Sequence, residues 1–392
     1  MTRRRITIVQ PYVPSYRVPF FTRLASDLDA MVKADLVVAH GSPATAVSMR
    51  GNAAMDELEC AVPLHQRSWN LGKSVTYFKR LGSLPRQSDA VVVEQALHNL
   101  ETYPLLVRAA LHQAGLPLGN KAVVGMWGQG RNHNRDVGAP VRAAKNIITR
   151  RADWFFAYTN GGADYLEAKG FPRERITVVR NATDTARLRA ARDAVTGREI
   201  ADYASELGLV PDRTVLFLGS LDESKRIPFL LAAVPDIVAQ LPGFTLLVAG
   251  DGPQRPLVES AAASGDGVVY VGPVHGERRA LLGAVARLML MPRMVGLCAV
   301  DSFALRTPLV TTQWPYHGPE FEYLEHGRNA VIAVGGPKQY AEAVVKTLSS
   351  PALMDKLVAG CAADAEKYTV EDMSRRFAEG LAMMLERSKA HQ

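Results

Sequence analysis

Two short apolar runs, each ending in glycine, constrain this chain most: residues 215–225 read VLFLGSLDESK and residues 246–253 read LLVAGDGP. A run of leucine and β-branched residues without polar alternation is the pattern of a parallel strand covered on both faces. The glycine after each run marks the turn into a loop, so both strands deliver their loops to one edge of a sheet. In open α/β sheets, ligands bind outside the carboxyl ends of the strands, and a lysine a few residues into the first loop, Lys225, reaches a phosphate there. The expected ligand is a phosphorylated or nucleotide compound.

The rest of the chain repeats this pattern in two series. Runs at 6–9, 34–38, 90–93, 122–126, 154–158 and 176–179 read as buried strands, with helical stretches such as 103–113 and 161–169 between them. A charged, alanine-rich segment follows, and a second series has strands at 215–218, 245–249, 268–271, 288–291, 309–311 and 330–332. The tail is amphipathic, with Met373, Phe377, Leu381, Met384 and Leu385 at helical spacing. A length of 392 residues exceeds one ordinary core. The expected organisation is therefore a first Rossmann-like domain over 1–185, a linker with a helix over 186–212, a second such domain over 213–369, and a tail helix over 370–392 packing back across the domains. Two such domains facing each other would leave a cleft for a small molecule.

Composition excludes several classes. Hydrophobic residues at 47% and charged residues at 22% describe a globular chain rather than a disordered one. Cys60, Cys298 and Cys361 form no CxxC pair, which argues against a disulfide framework or a zinc site and fits a reducing cytosol. MTRRR leads directly into ITIVQ and no run of 18 apolar residues occurs, so neither secretion nor a membrane span is expected. The net charge of +7 favours anionic partners. Basic residues gather at Arg3–Arg5 and over 131–151, without the aromatic interleaving or helix-turn-helix pattern of a nucleic-acid binder. That leaves a solvated basic face or a surface for anionic membrane.

The order FLGSLDESKR, VAGDGP, VYVGPV, VGLCAVDSFALRTPLVTT resembles the second domain of a retaining glycosyltransferase of family 4. PYVPSYRVPFFTRLA, WGQGRNHN and VVRNATD resemble, more loosely, the opening loop, cleft loop and end of the first domain. The resemblance implies the GT-B fold, a nucleotide diphosphate sugar as donor, and no metal or other cofactor. Donor contacts would come from Gly219, Ser220, Gly250, Asp251, Gly252, Pro253, Arg293, Val295, Gly296, Leu297, Asp301 and Glu320. Acceptor contacts would come from Tyr16, Arg17, Gly128, Gln129 and Arg131.

Several of these residues also have a reading of their own. Val295, Gly296 and Leu297 precede a helix starting near Ala299, where free backbone N–H groups can hold a diphosphate. Asp301, which the resemblance places on the donor ribose, would alternatively just enrich the first helical turn with Ser302. Lys225 and Arg226 can neutralise a leaving diphosphate, or form an ordinary solvated pair at a helix start. Gln129 can hydrogen-bond a sugar but cannot act as an acid or base, and His133 nearby is a loop histidine with no assigned role. Glu320, in the segment His317-Gly318-Pro319-Glu320, would contact the donor or pair with a cation such as Arg293.

The chain also departs from the family pattern. Where the family usually has two glutamates eight positions apart, this chain has Arg293 and Asp301; an arginine there would meet a phosphate or an acidic sugar. Gly219-Ser220-Leu221 lacks the arginine common after that glycine, the opening loop lacks a double glycine, and Gln129 replaces a frequent histidine. The resulting expectation is transfer of a sugar to a hydroxyl of a glycan or lipid-linked acceptor, as in bacterial surface polysaccharide synthesis, by a cytoplasmic protein docking on the inner membrane face. The alternatives are a catalytically silent GT-B protein that binds a nucleotide sugar or partner enzyme, and another GT-B enzyme such as an epimerase or phosphorylase.

Overall fold

The computed structural model describes residues 3–42, 57–71, 74–113, 115–116, 121–131 and 138–390. It divides into two compact units, one formed by the described residues up to Thr183 together with those from Val370 onward, the other by Asp184–Thr369.

The first unit is built on β1 (Arg4–Gln10), β2 (Ala34–His40), β3 (Ala61–Pro63), β6 (Ala90–Glu94), β7 (Val123–Gly128), β8 (Trp154–Ala157) and β9 (Ile176–Val178). These form one sheet in the order β3-β2-β1-β6-β7-β8-β9, and every neighbouring pair is parallel. Ile6, Thr7, Ile8 and Val9 are all buried, as a strand covered on both faces requires. Thr7 meets that burial by sharing a 2.7 Å hydrogen bond with Ser88. Outside this sheet lies an antiparallel hairpin, β4 (Gln66–Leu71) with β5 (Ser74–Lys79), which the strand reading above did not include. Its last residue, Lys79, is buried and satisfied by Glu101 at 2.7 Å and Asn99 at 3.4 Å.

The tail forms the helix Val370–Ala390, which packs on the helix Val18–Val32 and on β7, β8 and β9, all within the first unit. Met373, Phe377, Leu381, Met384 and Leu385 are its buried face. Phe377 stacks on Phe156 at 4.1 Å and meets Trp127 edge-on at 5.2 Å. The approach to β9 is so close that a Cβ on Gly380 would meet Thr177 Oγ1 at 2.4 Å.

The second unit holds β10 (Thr214–Leu218), β11 (Thr245–Ala249), β12 (Val268–Tyr270), β13 (Leu288–Leu290), β14 (Leu309–Thr312) and β15 (Ala330–Ala333). All pairs are parallel, in the order β12-β11-β10-β13-β14-β15. The chain winds outward from β10 to β12, then crosses back to place β13 on the other side of β10. Loops leaving β10 and β13 must therefore part in opposite directions, which opens a crevice at their carboxyl ends.

Residues 186–212, expected to be a linker with a helix, contain two helices, Ala186–Ala194 and Gly197–Glu206, that pack on the helix Arg278–Val285. Ala204 and Leu209 are buried against Val285, with Ile200, Tyr203 and Leu281 around them. Charged residues are interleaved with this apolar stripe, and Arg192 is itself partly buried, which hides the stripe from a reading by composition.

Candidate functional site

At the crevice, the loops after β10 and β11 are zipped together through their backbones. Gly219 N–H donates to Ala249 O at 3.1 Å, Leu221 N–H to Asp251 O at 2.9 Å, and Gln254 N–H to Leu221 O at 2.8 Å. A Cβ on Gly250 would lie 1.8 Å from Gly219 O, and one on Gly252 2.5 Å from Leu221 O, both at φ values near 155° (156° and 153°) that side chains disfavour. These two glycines thus answer first to the neighbouring loop. Asp251 turns back on its own segment, accepting from Gly252 N–H at 2.8 Å, and Pro253 continues the turn.

Further along the first loop, Asp222 accepts from Ser224 N–H at 2.9 Å and caps the short turn Glu223–Lys225. Burial pulls the Asp222 carboxyl up, but hydrogen bonds from Ser224 and Ser220 and the charge of Lys225 outweigh it, and the carboxyl lies below the usual aspartate range. That turn projects Lys225 across the crevice, where Nζ donates to Met294 O at 2.7 Å and ties the β10 loop to the β13 loop. Arg226 follows in the left-handed region at φ 60°, and its guanidinium lies 4.4 Å from the Phe229 ring centre and 5.6 Å from that of Trp314.

Trp314 is the residue that sequence reasoning missed. It lies in the loop after β14, and the Arg293 guanidinium covers it at 4.3 Å, so one indole receives two arginines. The signal was present as a lone tryptophan just past a buried strand, in QWPYHGPE. Lys225, Arg226 and Arg293 form no salt bridge with a carboxylate among the described residues.

The HGPE segment clamps the β13 loop. His317 accepts from Val295 N–H at Nδ1 (3.1 Å), so Nε2 carries the proton and donates to Thr312 O at 2.9 Å. Its ring is 3% exposed and stacks on Phe321 at 4.3 Å. Burial pushes its pKa down to about 4, aided by the charges of Lys225 and Arg293 and opposed by the Thr312 hydrogen bond. Gly318 N–H adds a 2.7 Å bond to Val295 O. Of the three amides expected to hold a diphosphate, that of Val295 is therefore already given to His317 and the backbone of Gly296 faces the Cys298 thiol, which leaves that of Leu297. Leu297 is the N-cap of the helix Cys298–Leu305. Glu320 is buried beside this segment, with Oε2 3.6 Å from where a Cβ on Gly296 would stand.

Asp301 lies in the first turn of that helix and pairs with Arg279 at 2.9 Å, a partner that the sequence reading did not name. Burial raises its carboxyl above the ordinary aspartate range while Arg279 pulls it down. Any ribose contact by Asp301 would share the carboxylate with that guanidinium.

In the first unit, Arg17, expected to be an acceptor contact, is buried. It is 4% exposed, donates to Asn181 Oδ1 at 2.6 Å and to Met373 Sδ at 3.5 Å, and lies 4.9 Å from the Trp127 ring centre. It joins the opening loop to the end of the domain and to the tail helix, so its visible role is packing. Tyr16 beside it is 46% exposed. Gly128 ends β7 against Gln95, and Gly130, at φ 77°, passes so close to Gly162 O that a Cβ would stand 2.5 Å away. This backbone contact presents Gln129, half-buried, and Arg131, exposed. His133 lies outside the described residues.

Residues 12–182 match the family described as glycosyl transferase 4-like domain, and residues 212–350 that described as glycosyl transferases group 1. The D-inositol 3-phosphate glycosyltransferase of a Nocardioides strain is 28% identical over 225 residues, 52% of this chain and 47% of that protein. The chain spans about half the length of the curated relatives it matches. Among solved structures, Anabaena HepE in complex with UDP superposes with a TM-score of 0.65 at 15% identity, over 97% of this chain and 99% of that one. A glycosyltransferase from Rickettsia africae gives 0.67 at 12% identity, over 100% and 99%. The chain belongs to the family 4-like glycosyltransferases and has their GT-B fold, two Rossmann-like α/β units each on a parallel sheet.

Proposed function

We propose that this protein is a retaining glycosyltransferase that moves a sugar from a nucleotide diphosphate donor, held by the second unit, to a hydroxyl of a glycan or lipid-linked acceptor held by the first. The observation that carries this reading is the convergence of Lys225, Arg226 and Arg293, without a salt bridge to a carboxylate among the described residues, on the crevice where the Leu297 amide opens a helix. Cations and helix-start amides together stabilise the charge that develops on a departing diphosphate. As the bond from the sugar to the diphosphate breaks, the phosphate oxygen released accepts the proton of the acceptor hydroxyl that bonds to the sugar, so Gln129 need only position the sugar, and the reaction is proposed to need no metal. Asp301 would hold the ribose, and Tyr16, Gln129 and Arg131 the acceptor. Structures related in fold were solved with UDP, with UDP and glucose, and with UDP-glucose, which supports a nucleotide-sugar donor.

The presence of Arg293 where the family usually has glutamate favours a second reading, a silent protein that binds the nucleotide sugar without turning it over. One experiment separates the two. Thermal stabilisation by uridine, guanosine and adenosine diphosphates and their sugar conjugates, with and without EDTA, identifies the donor by mass action, since ligand at 100 times Kd adds about 2.7 kcal/mol. NMR of the product then shows whether the anomeric configuration is kept. Stabilisation without product formation with any glycan or lipid-linked acceptor supports the silent reading, and no stabilisation by any nucleotide refutes both.

The acceptor is proposed to belong to surface polysaccharide synthesis, with the basic residues resting on anionic lipid. No helix among the described residues is long and apolar enough to cross a membrane. Sedimentation with phosphatidylglycerol vesicles at low salt, lost at high salt, is the expected result.

A further inference from the structure

Three cations, Lys225, Arg226 and Arg293, meet at the crevice without a salt bridge to a carboxylate among the described residues. Lys225 lies near the Asp222 carboxylate, whereas Arg226 and Arg293 share the Trp314 ring and form no salt bridge among the described residues. Lys225 and Arg226 leave β10 together on one loop, Lys225 reaching across to Met294 O. Arg293 comes from the far side of the crevice, just past β13, with its guanidinium carbon 4.3 Å from the Trp314 ring centre.

Two orphan donors mark the same place. Arg293 Nε and Trp314 Nε1 are both buried and have no hydrogen-bond partner. Leaving a buried donor unpaired is costly, more so on a charged group, and such donors normally find an acceptor. The guanidinium of Arg226, held 5.6 Å from the same indole, adds a like charge that raises the cost until an anion arrives. Asp301 cannot serve as that anion because it is already paired with Arg279.

We infer that Arg293, Arg226 and Trp314 form a subsite for a carboxylate carried on the transferred sugar, so that the donor is a nucleotide-linked uronic acid. A carboxylate is planar and accepts two parallel N–H bonds from one guanidinium, a geometry that a sugar hydroxyl cannot reproduce. The contact with the indole restricts Arg293, which reduces the side-chain freedom lost when the anion binds. The inference rests on the nucleotide-sugar reading above and specifies its substrate.

The test is calorimetric titration of the full chain with two matched pairs, UDP-glucuronate against UDP-glucose and GDP-mannuronate against GDP-mannose. UDP and GDP alone serve as references. The expected result is that within the pair of the correct base the uronate binds about tenfold to a hundredfold more tightly, the worth of one charged hydrogen-bonded pair. In Arg293→Gln that ratio falls towards one, and Arg293→Lys, which keeps the charge without the fork, restores only part of it. Unchanged far-ultraviolet circular dichroism of each variant confirms that it has folded. Equal affinities within both pairs, with the nucleotides themselves binding, overturn the inference and leave the nucleotide-sugar reading standing. A preference for the uronate that survives in Arg293→Gln and in Arg226→Gln also overturns it. If no nucleotide binds at all, the nucleotide-sugar reading fails and this one fails with it. Inorganic phosphate, added at 10 mM or so as a competitor, should lower the affinity for the diphosphate without erasing the ratio; loss of the ratio would show a general anion site instead.

Discussion

Acidification should release the β13 loop, and His317 is where it acts. Both ring nitrogens are committed in the neutral form, Nδ1 to Val295 N–H and Nε2–H to Thr312 O. Burial holds the folded pKa at about 4, below the 6.5 of an unperturbed histidine. The unfolded chain therefore takes up the proton first as pH falls. The stability that depends on a neutral ring is complete above pH 6.5 or so, and declines towards pH 4. Integrated from pH 7.5 to 4.5, the difference amounts to about 2.5 kcal/mol. The perturbation is His317→Gln, which removes the titration and can satisfy only one of the two partners. At pH 7.5 the variant should be less stable by roughly 1–3 kcal/mol, the cost of one orphaned buried group. Urea unfolding followed by tryptophan fluorescence at both pH values measures the gap, which should close or reverse at pH 4.5. A gap of the same size at both values, or an NMR titration placing the His317 ring near pH 6.5, would refute the reasoning.

Three further outcomes are expected. Gly250→Ala forces a Cβ to within 1.8 Å of Gly219 O, so the two loops must separate; thermal melts should show a loss of roughly 1–3 kcal/mol together with weaker nucleotide stabilisation. Arg17→Met removes the guanidinium that joins Asn181 and Met373 and should cost on the order of 2–4 kcal/mol in urea, whereas Tyr16→Ala, half exposed beside it, should stay within about 1 kcal/mol of the parent. Lys225→Ala should lower kcat by about a hundredfold to a thousandfold, as loss of one charge-stabilising donor does, and steady-state kinetics that leave kcat unchanged would remove Lys225 from the reaction.

The parts of the fold that were legible have a common cause. A parallel strand buried on both faces must be continuously apolar, so runs such as those around Ile8, Val92 and Leu247 announce themselves without knowledge of their neighbours. The hairpin of β4 and β5 is less visible, because polar residues outnumber apolar ones in β4 and a single glycine, Gly72, is the sequence signal between the two strands. Over 186–212 the sequence reads as a linker with one helix, and the structure has two, with Ala204 and Leu209 facing a core that a charge-rich composition does not announce.

At the candidate site, the amino-acid sequence by itself determined which residue types are available: glycines past two strands, a Lys-Arg pair, an arginine and an aspartate eight positions apart, and an HGPE segment. Glycine spacing and strand pattern are local properties, and local geometry is what sequence encodes most directly. Only the tertiary structure decided the partners. It joined Arg293 and Arg226, 67 positions apart in the chain, through one indole; it gave Asp301 to Arg279 and Val295 N–H to His317; and it sealed Arg17 among aromatic rings. The physical reason is the crossover at β10 and β13: side-chain charge and hydrogen bonding act over a few ångströms, and which groups come that close is settled by strand order rather than by distance along the chain.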